Sequence, residues 1–184
     1  NFAYIDNIQE AERVLITQFT QTMYAVASDV YMKVKFNPKV IDEYRLIGYD
    51  NKQSGIKNFI GTPEGGEVGS GSCNTIVFEF KPSGMTDGKK NYQAGSFSVH
   101  YTEPGDTLSK YQEYQCPYNY LPFSEISKPL QFATAVTMFG LKLKKSAYFP
   151  NTSWDAISNI ATESRDPGNF LQTQFSELIV RCKK

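Results

Sequence analysis

The sequence predicts an α+β protein in which an antiparallel, β-sandwich-like region is preceded by one long helix and followed by a three-helix segment. Three observations predict this order. Apolar residues recur every three or four positions over 6–28, alternate with polar ones in five stretches between 29 and 117, and return to helical spacing after 118. Turns rather than helices separate the alternating stretches, which favours antiparallel pairing. The predicted segments are therefore 1–28, 29–117 and 118–184.

The first helix is predicted over 6–28, with Asp6 as its N-cap. Its apolar stripe consists of Ile8, Ala11, Leu15, Phe19, Met23 and Val26. The five residues before it read as the end of a strand and are too few to cover such a stripe. We expect the helix to dock on the β region, to pair with a second copy, or to fray.

The β region begins with the clearest alternating stretch of the chain, DVYMKVKFNPKVIDEYRLIGYDN at 29–51. One side of its first strand carries Val30, Met32, Val34 and Phe36, and the other side carries Tyr31, Lys33 and Lys35. Strands are predicted at 30–36, 43–49, 75–80, 96–102 and 108–116, with a tight turn at 103–106. The glycine-rich stretch 50–71 is predicted to be a loop with a short ordered piece at 56–60. It lacks the pattern of a phosphate-binding loop.

The segment after 118 predicts three amphipathic helices. The apolar stripe of the first is Phe132, Val136, Phe139 and Leu143; that of the second is Trp154, Ile157 and Ile160; that of the third is Leu171, Phe175, Leu178 and Cys182. Asn151 or Thr152 is expected to cap the second helix, and Asp166-Pro167 is expected to start the third. We expect the three helices to pack on each other, on the sheet, or on both.

The charge of the chain is balanced, with 19 lysine and arginine residues against 19 aspartate and glutamate residues. This balance gives no electrostatic case for nucleic acid or an anionic membrane surface as a partner. No apolar run approaches the ~20 residues that span a bilayer, so we expect membrane attachment only through an anchor outside this chain. The chain opens on NFAYIDN rather than on methionine, and we expect it to be part of a longer protein.

No residue pattern specifies a reaction. Cys73, Cys116 and Cys182 form no CxxC motif and are expected to be idle or buried thiols, with a Cys73–Cys116 disulfide left open. An enzyme would need Cys73 or Cys116 beside His100, the single histidine, which alternation places on the polar face of its strand. We predict no catalytic residue.

Acidic residues suited to a metal ion are scattered through the predicted loops: Asp42, Glu43, Asp50, Glu64 and Glu67. They lack the tight spacing of hard-cation sites. We predict no metal site and no bound cofactor within this chain.

Aromatic residues cluster near the junction of the β and helical segments, at Tyr114, Tyr118, Tyr120 and Phe123. Such rings either fill the interface between a sheet and its helices or bind a glycan or peptide in a groove. The second interpretation is the alternative function for this chain.

At VYMKVKFNPKVIDEYRLIGYDN the sequence resembles the C-terminal region, of unknown function, of bacterial von Willebrand factor type A domain proteins. Further stretches carry the resemblance. NFAYIDNIQEAERVL is similar to the last strand and helix of the A domain itself, GGEVGSG to a glycine-rich turn, GSFSVHYTEPGD to a hairpin, and FATAVTMFGLKLKKSAY to a helical segment. The chain departs from the family at Gly61-Thr62-Pro63 and at Ser72, where the family often has acidic residues and a histidine.

The resemblance implies a non-enzymatic accessory or interaction module that adjoins a metal-dependent, protein-binding A domain. It implies a location at the cell envelope, because family members are commonly exported and often predicted to be lipoproteins. The cation motif Asp-x-Ser-x-Ser of A domains does not occur in this sequence, so no metal ligand transfers onto this chain. The implied partner is a protein, reached through the A domain or through the exposed face of helix 6–28.

Overall fold

A computed structural model describes residue 5 and residues 7–19, 23–48, 65–84, 92–149 and 151–183. These residues fall into two compact units, and both helices and strands are present, so the α+β class is confirmed. The sheet unit extends to Tyr118, apart from a short segment that begins at Leu46, and the helical unit begins at Asn119. Two predicted features, the cap at Asp6 and the ordered piece at 56–60, lie outside the described residues.

The sheet unit contains six strands within the described residues: β1 (Ala25–Phe36), β2 (Ile41–Leu46), β3 (Gly66–Gly69), β4 (Phe78–Pro82), β5 (Gln93–Thr102) and β6 (Ser109–Pro117). Four of them form an antiparallel sheet in the order β3-β1-β5-β6, and β2 pairs with β4 in a separate ribbon. Five of these strands overlap the predicted strands, because alternation over five or more residues is a strong local signal.

The four-stranded sheet has one apolar and one polar face, as the alternation predicts. In the register of its central strands, Val34 lies opposite Phe97, which lies opposite Tyr114 on β6. The ribbon reaches the apolar face at Phe36, whose ring centroid lies 4.5 Å from that of Tyr44. Phe36 also meets the Phe78 ring edge-on at 5.3 Å. The polar face carries the alternate residues of the same strands.

Strand β3 corrects the prediction that 50–71 is a loop with an ordered piece at 56–60 alone, because Gly66–Gly69 is a strand. Glycine is depleted in strands, so GEVG does not read as one. The tertiary structure explains the glycine that precedes this strand. A Cβ on Gly65 would lie 2.0 Å from the carbonyl carbon of Asp29. Asp29 itself has φ of 51° at a shift in the β1 register. A side chain at Gly65 would therefore push β3 off this bulge.

The predicted helix over 6–28 is wrong in its extent. Helix α1 spans Ile8–Glu12, and its N-cap Asn7 accepts a hydrogen bond from the Glu10 N–H at 2.8 Å. One π-helical turn, Arg13–Thr17, follows it. Residues 25–28 belong to β1 instead, where Ser28 pairs with Thr102 of β5. Helical spacing in this stretch is outweighed by backbone pairing with two neighbouring strands, which the local pattern does not report.

The predicted turn at 103–106 joins β5 to β6 and is held by a small network of charges. Asp106 N–H donates to the Glu103 carbonyl at 3.0 Å, and Gly105 adopts φ of 79°, which suits glycine. The backbone N–H of Leu108 is the main cause that lowers the pKa of Asp106, followed by the Lys110 side chain and the N–H of Thr107. Glu103 and Asp106 in turn raise the pKa of Lys110.

This lowered pKa predicts a pH dependence of the hairpin. Because the folded carboxyl has the lower pKa, its stabilising effect is present above its ordinary value of 3.8 and is lost as pH falls through the folded value. Asp106→Asn should therefore flatten the fall in unfolding temperature between neutral pH and pH below 3.8. The unfolding temperature at each pH is measured by near-UV circular dichroism of the tyrosines. The control Asp42→Asn, at an exposed position on β2, should show the same pH dependence of the unfolding temperature as the wild type. If Asp106→Asn also shows the wild-type pH dependence, the prediction is wrong.

The helical unit consists of α2 (Lys128–Leu143), α3 (Trp154–Ser164) and α4 (Phe170–Arg181), preceded by a short 3-10 turn at Phe123–Glu125. The core residues, all fully buried, are Ala135, Ile157, Ala161 and Ile179. Aromatic rings surround this core, with the Phe139 centroid 5.2 Å from that of Phe175 and 5.7 Å from that of Trp154. No helix among the described residues is both long and apolar enough to cross a membrane.

Two of the predicted helical stripes are partly wrong. Phe132, Phe139 and Phe175 face the core as predicted, but Val136, Leu143, Leu171 and Leu178 are exposed. Ala135 and Ile179 take the buried positions instead, where they share one core with Ile157 and Ala161 of α3. The predicted caps are also displaced: Ser153 caps α3 by accepting from the Ala156 N–H, and Asn169 caps α4 by accepting from the Gln172 N–H.

Candidate functional site

The polar face of the sheet carries a ladder of three stacked rings. Tyr31, His100 and Tyr111 lie opposite one another on β1, β5 and β6. The centroids of Tyr31 and His100 are 4.7 Å apart with an interplanar angle of 5°, and those of His100 and Tyr111 are 5.4 Å apart with an angle of 21°. Cross-strand aromatic pairs of this kind stabilise a sheet and fix the orientation of its side chains.

The central ring of this ladder is held by a hydrogen bond as well as by stacking. His100 Nε2 lies 3.1 Å from Ser98 Oγ, with donor and acceptor set by the tautomer. At the β1 end, Lys33 Nζ lies 5.3 Å from the centroid of the Tyr31 ring, a cation–π contact. At the β6 end, Tyr111 is 66% exposed, so part of its ring is open to a ligand.

Beside the ladder, the polar face forms a concavity of about 240 Å³ with charged walls. Lys33 and Lys35 of β1 line one wall and Glu113 of β6 lines the opposite one, with Ser96 and Ser98 of β5 between them. Lys33, Ser98 and Glu113 share one rung of the sheet. Within the described ranges, none of these three charged side chains forms an ion pair. Their charges are therefore available to a ligand.

The structure separates Cys116 from His100. Cys116 lies opposite Gly95 in the register, five positions along β5 from His100. An odd separation puts the two side chains on opposite faces, and five residues of strand span roughly 17 Å. Cys73 lies exposed between β3 and β4, and Cys73, Cys116 and Cys182 are all free thiols. His100 therefore has a hydroxyl neighbour, Ser98, rather than the thiol of Cys116.

The aromatic residues predicted near the junction do not line this concavity. Tyr114 lies on the apolar face, where it stacks on Phe97 at 4.9 Å and donates to Gln112 Oε1 at 2.5 Å. Tyr118 ends the sheet unit, whereas Tyr120 and Phe123 belong to the helical unit. Tyr120 is 75% exposed. The rings that share a surface with charged groups are instead those of the ladder.

The acidic residues considered for a metal site are dispersed in the part of the chain that the structure describes. Glu43 forms an exposed ion pair with Lys81 at 3.2 Å, and Asp42 and Glu67 lie on β2 and β3. Asp50 and Glu64 lie outside the described residues. Among the described residues, no group of three histidine, cysteine or acidic side chains is placed to hold a metal ion.

Residues 21–184 match the family described as "Uncharacterized protein YfbK, C-terminal". This chain belongs to that YfbK C-terminal family. The Uncharacterized protein YfbK of Escherichia coli strain K12 is 29% identical to it over 198 residues, which cover 97% of this chain and 34% of that protein. The chain thus spans about a third of the length of this curated relative. No solved structure matches the chain significantly.

The boundaries of the YfbK C-terminal family follow the architecture. The family match begins at residue 21, shortly before β1 begins at Ala25, so all six strands and the three helices α2 to α4 of the described chain fall within it. Helix α1 falls upstream of it. The match to the Escherichia coli YfbK covers 97% of the chain and therefore extends upstream of residue 21. The segment that holds α1 is thus shared with a longer protein but is not part of the C-terminal family match.

The sequence patterns place several residues of the concavity on particular sides of their strands but do not predict the concavity. Alternation places His100 on the polar face of β5, and it puts Tyr111 and Glu113 on one side of β6. It does not give the register that sets these residues opposite Tyr31 and Lys33. The sequence feature that points to a site here is a polar strand face that combines tyrosine, histidine and charges of both signs. A face that only contacts solvent does not need aromatic rings.

Proposed function

We propose that this chain is a non-enzymatic interaction module that adjoins a von Willebrand factor A-type, protein-binding domain at the bacterial cell envelope. The observation that carries the proposal is the exposure of large apolar side chains in the segment before β1. Contiguous exposed apolar surface on a folded protein marks an interaction site by default.

The segment that precedes β1 leaves its apolar side chains uncovered within this chain. Ile8 is 77% exposed and Ile16 is 69% exposed. The other large apolar side chains exposed in this segment are Ile5, Leu15, Phe19, Met23 and Tyr24. Fully burying one leucine or isoleucine stabilises a structure by about 1.5–3 kcal/mol. A partner that covers several of them gains a large part of the free energy of a stable complex.

The position of this segment favours an upstream domain as the partner. It lies upstream of the YfbK C-terminal match. The match to the longer Escherichia coli YfbK, of which this chain spans about a third, includes it. The resemblance of NFAYIDNIQEAERVL to the closing strand and helix of an A domain supports the identity of that domain. In this arrangement α1 belongs to the upstream domain physically and links it covalently to the sheet. A conformational change in the upstream domain reaches the sheet through this link.

Docking is tested by mixing this chain with the separately expressed upstream part of its parent protein. The double variant Leu15→Ser, Ile16→Ser should weaken the association measured by calorimetry at least about tenfold. The matched control Gln9→Ser, Glu12→Ser changes two exposed polar residues of α1 and should keep the wild-type affinity. Equal affinities for both double variants would show that the segment before β1 does not dock upstream through Leu15 and Ile16.

The function itself is tested by capture from an envelope extract, with and without a divalent-metal chelator. The parent protein should capture a partner that chelation releases, and this chain alone should capture none. The expected reason is that the A-type domain, not this chain, supplies the metal that grips an acidic group of the partner. Capture by this chain alone, insensitive to the chelator, would instead make it an independent binding module.

A further inference from the structure

We propose that the concavity on the polar face of the sheet is a binding site for a short zwitterionic peptide, with its carboxylate at Lys33 and Lys35 and its amine at Glu113. The proposal goes beyond the accessory role described above and does not depend on it. It depends on the charges that line the concavity, on the groups between them, and on its size.

The two walls of the concavity carry opposite charges that remain apart. Lys33 and Lys35 are exposed on β1, and Glu113 is exposed on β6. One strand separates β1 from β6, so their backbones lie roughly 10 Å apart. Within the described part of the chain, these side chains form no ion pair with each other or with a third group. A ligand with both charges fits between them without breaking an existing ion pair.

The groups between the walls suit a peptide backbone. Ser96 and Ser98 are half-buried on β5, and their hydroxyls both donate and accept hydrogen bonds. His100 is fixed in place by Ser98 and by the rings on either side of it. The exposed part of the Tyr111 ring offers an apolar surface at the same end. Such an arrangement of a few polar groups beside an aromatic ring is typical of small-ligand sites.

Charge and size exclude other classes of ligand. A simple anion such as phosphate would leave Glu113 without a counter-charge, and a simple cation would leave the two lysines without one. A neutral sugar would leave both charged walls without a counter-charge. The volume of about 240 Å³ is below the ~300 Å³ of the smallest drug-sized pockets. The ligand class that remains is one or two amino-acid residues with a free amine and a free carboxylate.

The test uses alanyl-alanine, its N-acetyl form and its C-terminal amide, titrated into the ¹⁵N-labelled chain at a pH at least about one unit below the amine pKa of about 8. The free dipeptide should bind at least about threefold more tightly than either blocked form, the scale that exposed charge pairs reach. Amide shifts should map to Lys33, Ser98, His100 and Glu113. Equal binding of the three forms, shifts elsewhere, or no shifts into the millimolar range would overturn the proposal.

Charge-removing variants separate the two ends of the ligand. Lys33→Gln with Lys35→Gln should abolish the advantage of the free carboxylate over the amide. Glu113→Gln should abolish the advantage of the free amine over the acetylated form. Lys81→Gln, which removes an exposed lysine from β4, serves as the control and should bind like the wild type. The dispersion of each amide spectrum shows that the variant is folded, and wild-type selectivity in the Lys33 and Lys35 variant would place the ligand elsewhere.

Discussion

Replacing Ile157 with alanine should lower the free energy of unfolding of the helical unit by about 2–5 kcal/mol, the range for removing a buried isoleucine side chain. Ile157 lies on α3, is fully buried, and belongs to one core with Ala135, Ala161 and Ile179. Two of these neighbours are alanines with no side-chain rotamers to fill the space that Ile157 leaves. The cavity should therefore stay largely open, which places the cost toward the upper part of this range.

The single tryptophan of the chain gives a selective measurement of this effect. Trp154 packs against the same core, with its ring centroid 5.7 Å from that of Phe139. Denaturant unfolding followed by Trp154 fluorescence therefore reports the helical unit. The control Val180→Ala removes a side chain that is 52% exposed on α4 and should cost at most about 0.5 kcal/mol. Similar unfolding midpoints for both variants would contradict the core assigned to these helices.

Replacing Gly95 with alanine should destabilise the sheet unit by about 1–3 kcal/mol, the usual cost of forcing extra atoms into a packed site. Gly95 lies on the central strand β5 opposite Phe36, the last residue of β1, and a Cβ there would lie 2.2 Å from the carbonyl oxygen of Lys35. That atom is backbone and cannot rotate away. Relief requires β1 and β5 to separate next to Lys35, so the substitution should also disturb the concavity.

The tyrosines of the sheet, followed by near-UV circular dichroism, measure the effect of Gly95→Ala. Gly66→Ala is a matched control on β3, because a Cβ at Gly66 meets nothing within 4 Å. It should stay within about 0.5 kcal/mol of the wild type. If Gly95→Ala were as stable as Gly66→Ala, the close approach of β1 and β5 at this point would be wrong.

These two variants address different units, and together they test whether the units unfold independently. If they do, Ile157→Ala should shift the tryptophan transition alone, and Gly95→Ala should shift the tyrosine signal of the sheet alone. A joint shift of both signals in both variants would indicate one cooperative transition. That distinction decides whether the helical unit can be expressed and studied by itself.

The amino-acid sequence determined the elements whose signal is local. Alternation identified five strands, and it assigned His100, Tyr111 and Glu113 to particular sides of their strands. The Glu103–Asp106 turn and the presence of three C-terminal helices also follow from short-range patterns. Backbone geometry has a period of about 2 in strands and 3.6 in helices, so a run of ten residues carries this information by itself.

Tertiary structure alone decided the features that depend on long-range pairing. Residues 25–28 are strand rather than helix because β1 pairs with β3 and β5. Strand β3 forms despite its glycine-rich composition, because Gly65 allows it to approach Asp29 closely. The buried stripe of α4 shifted to Ile179 for the same reason, because its partner helices select the face. The concavity exists because register sets Tyr31 beside His100 and Lys33 across from Glu113. Register is a property of two or more strands, and no single stretch of sequence contains it.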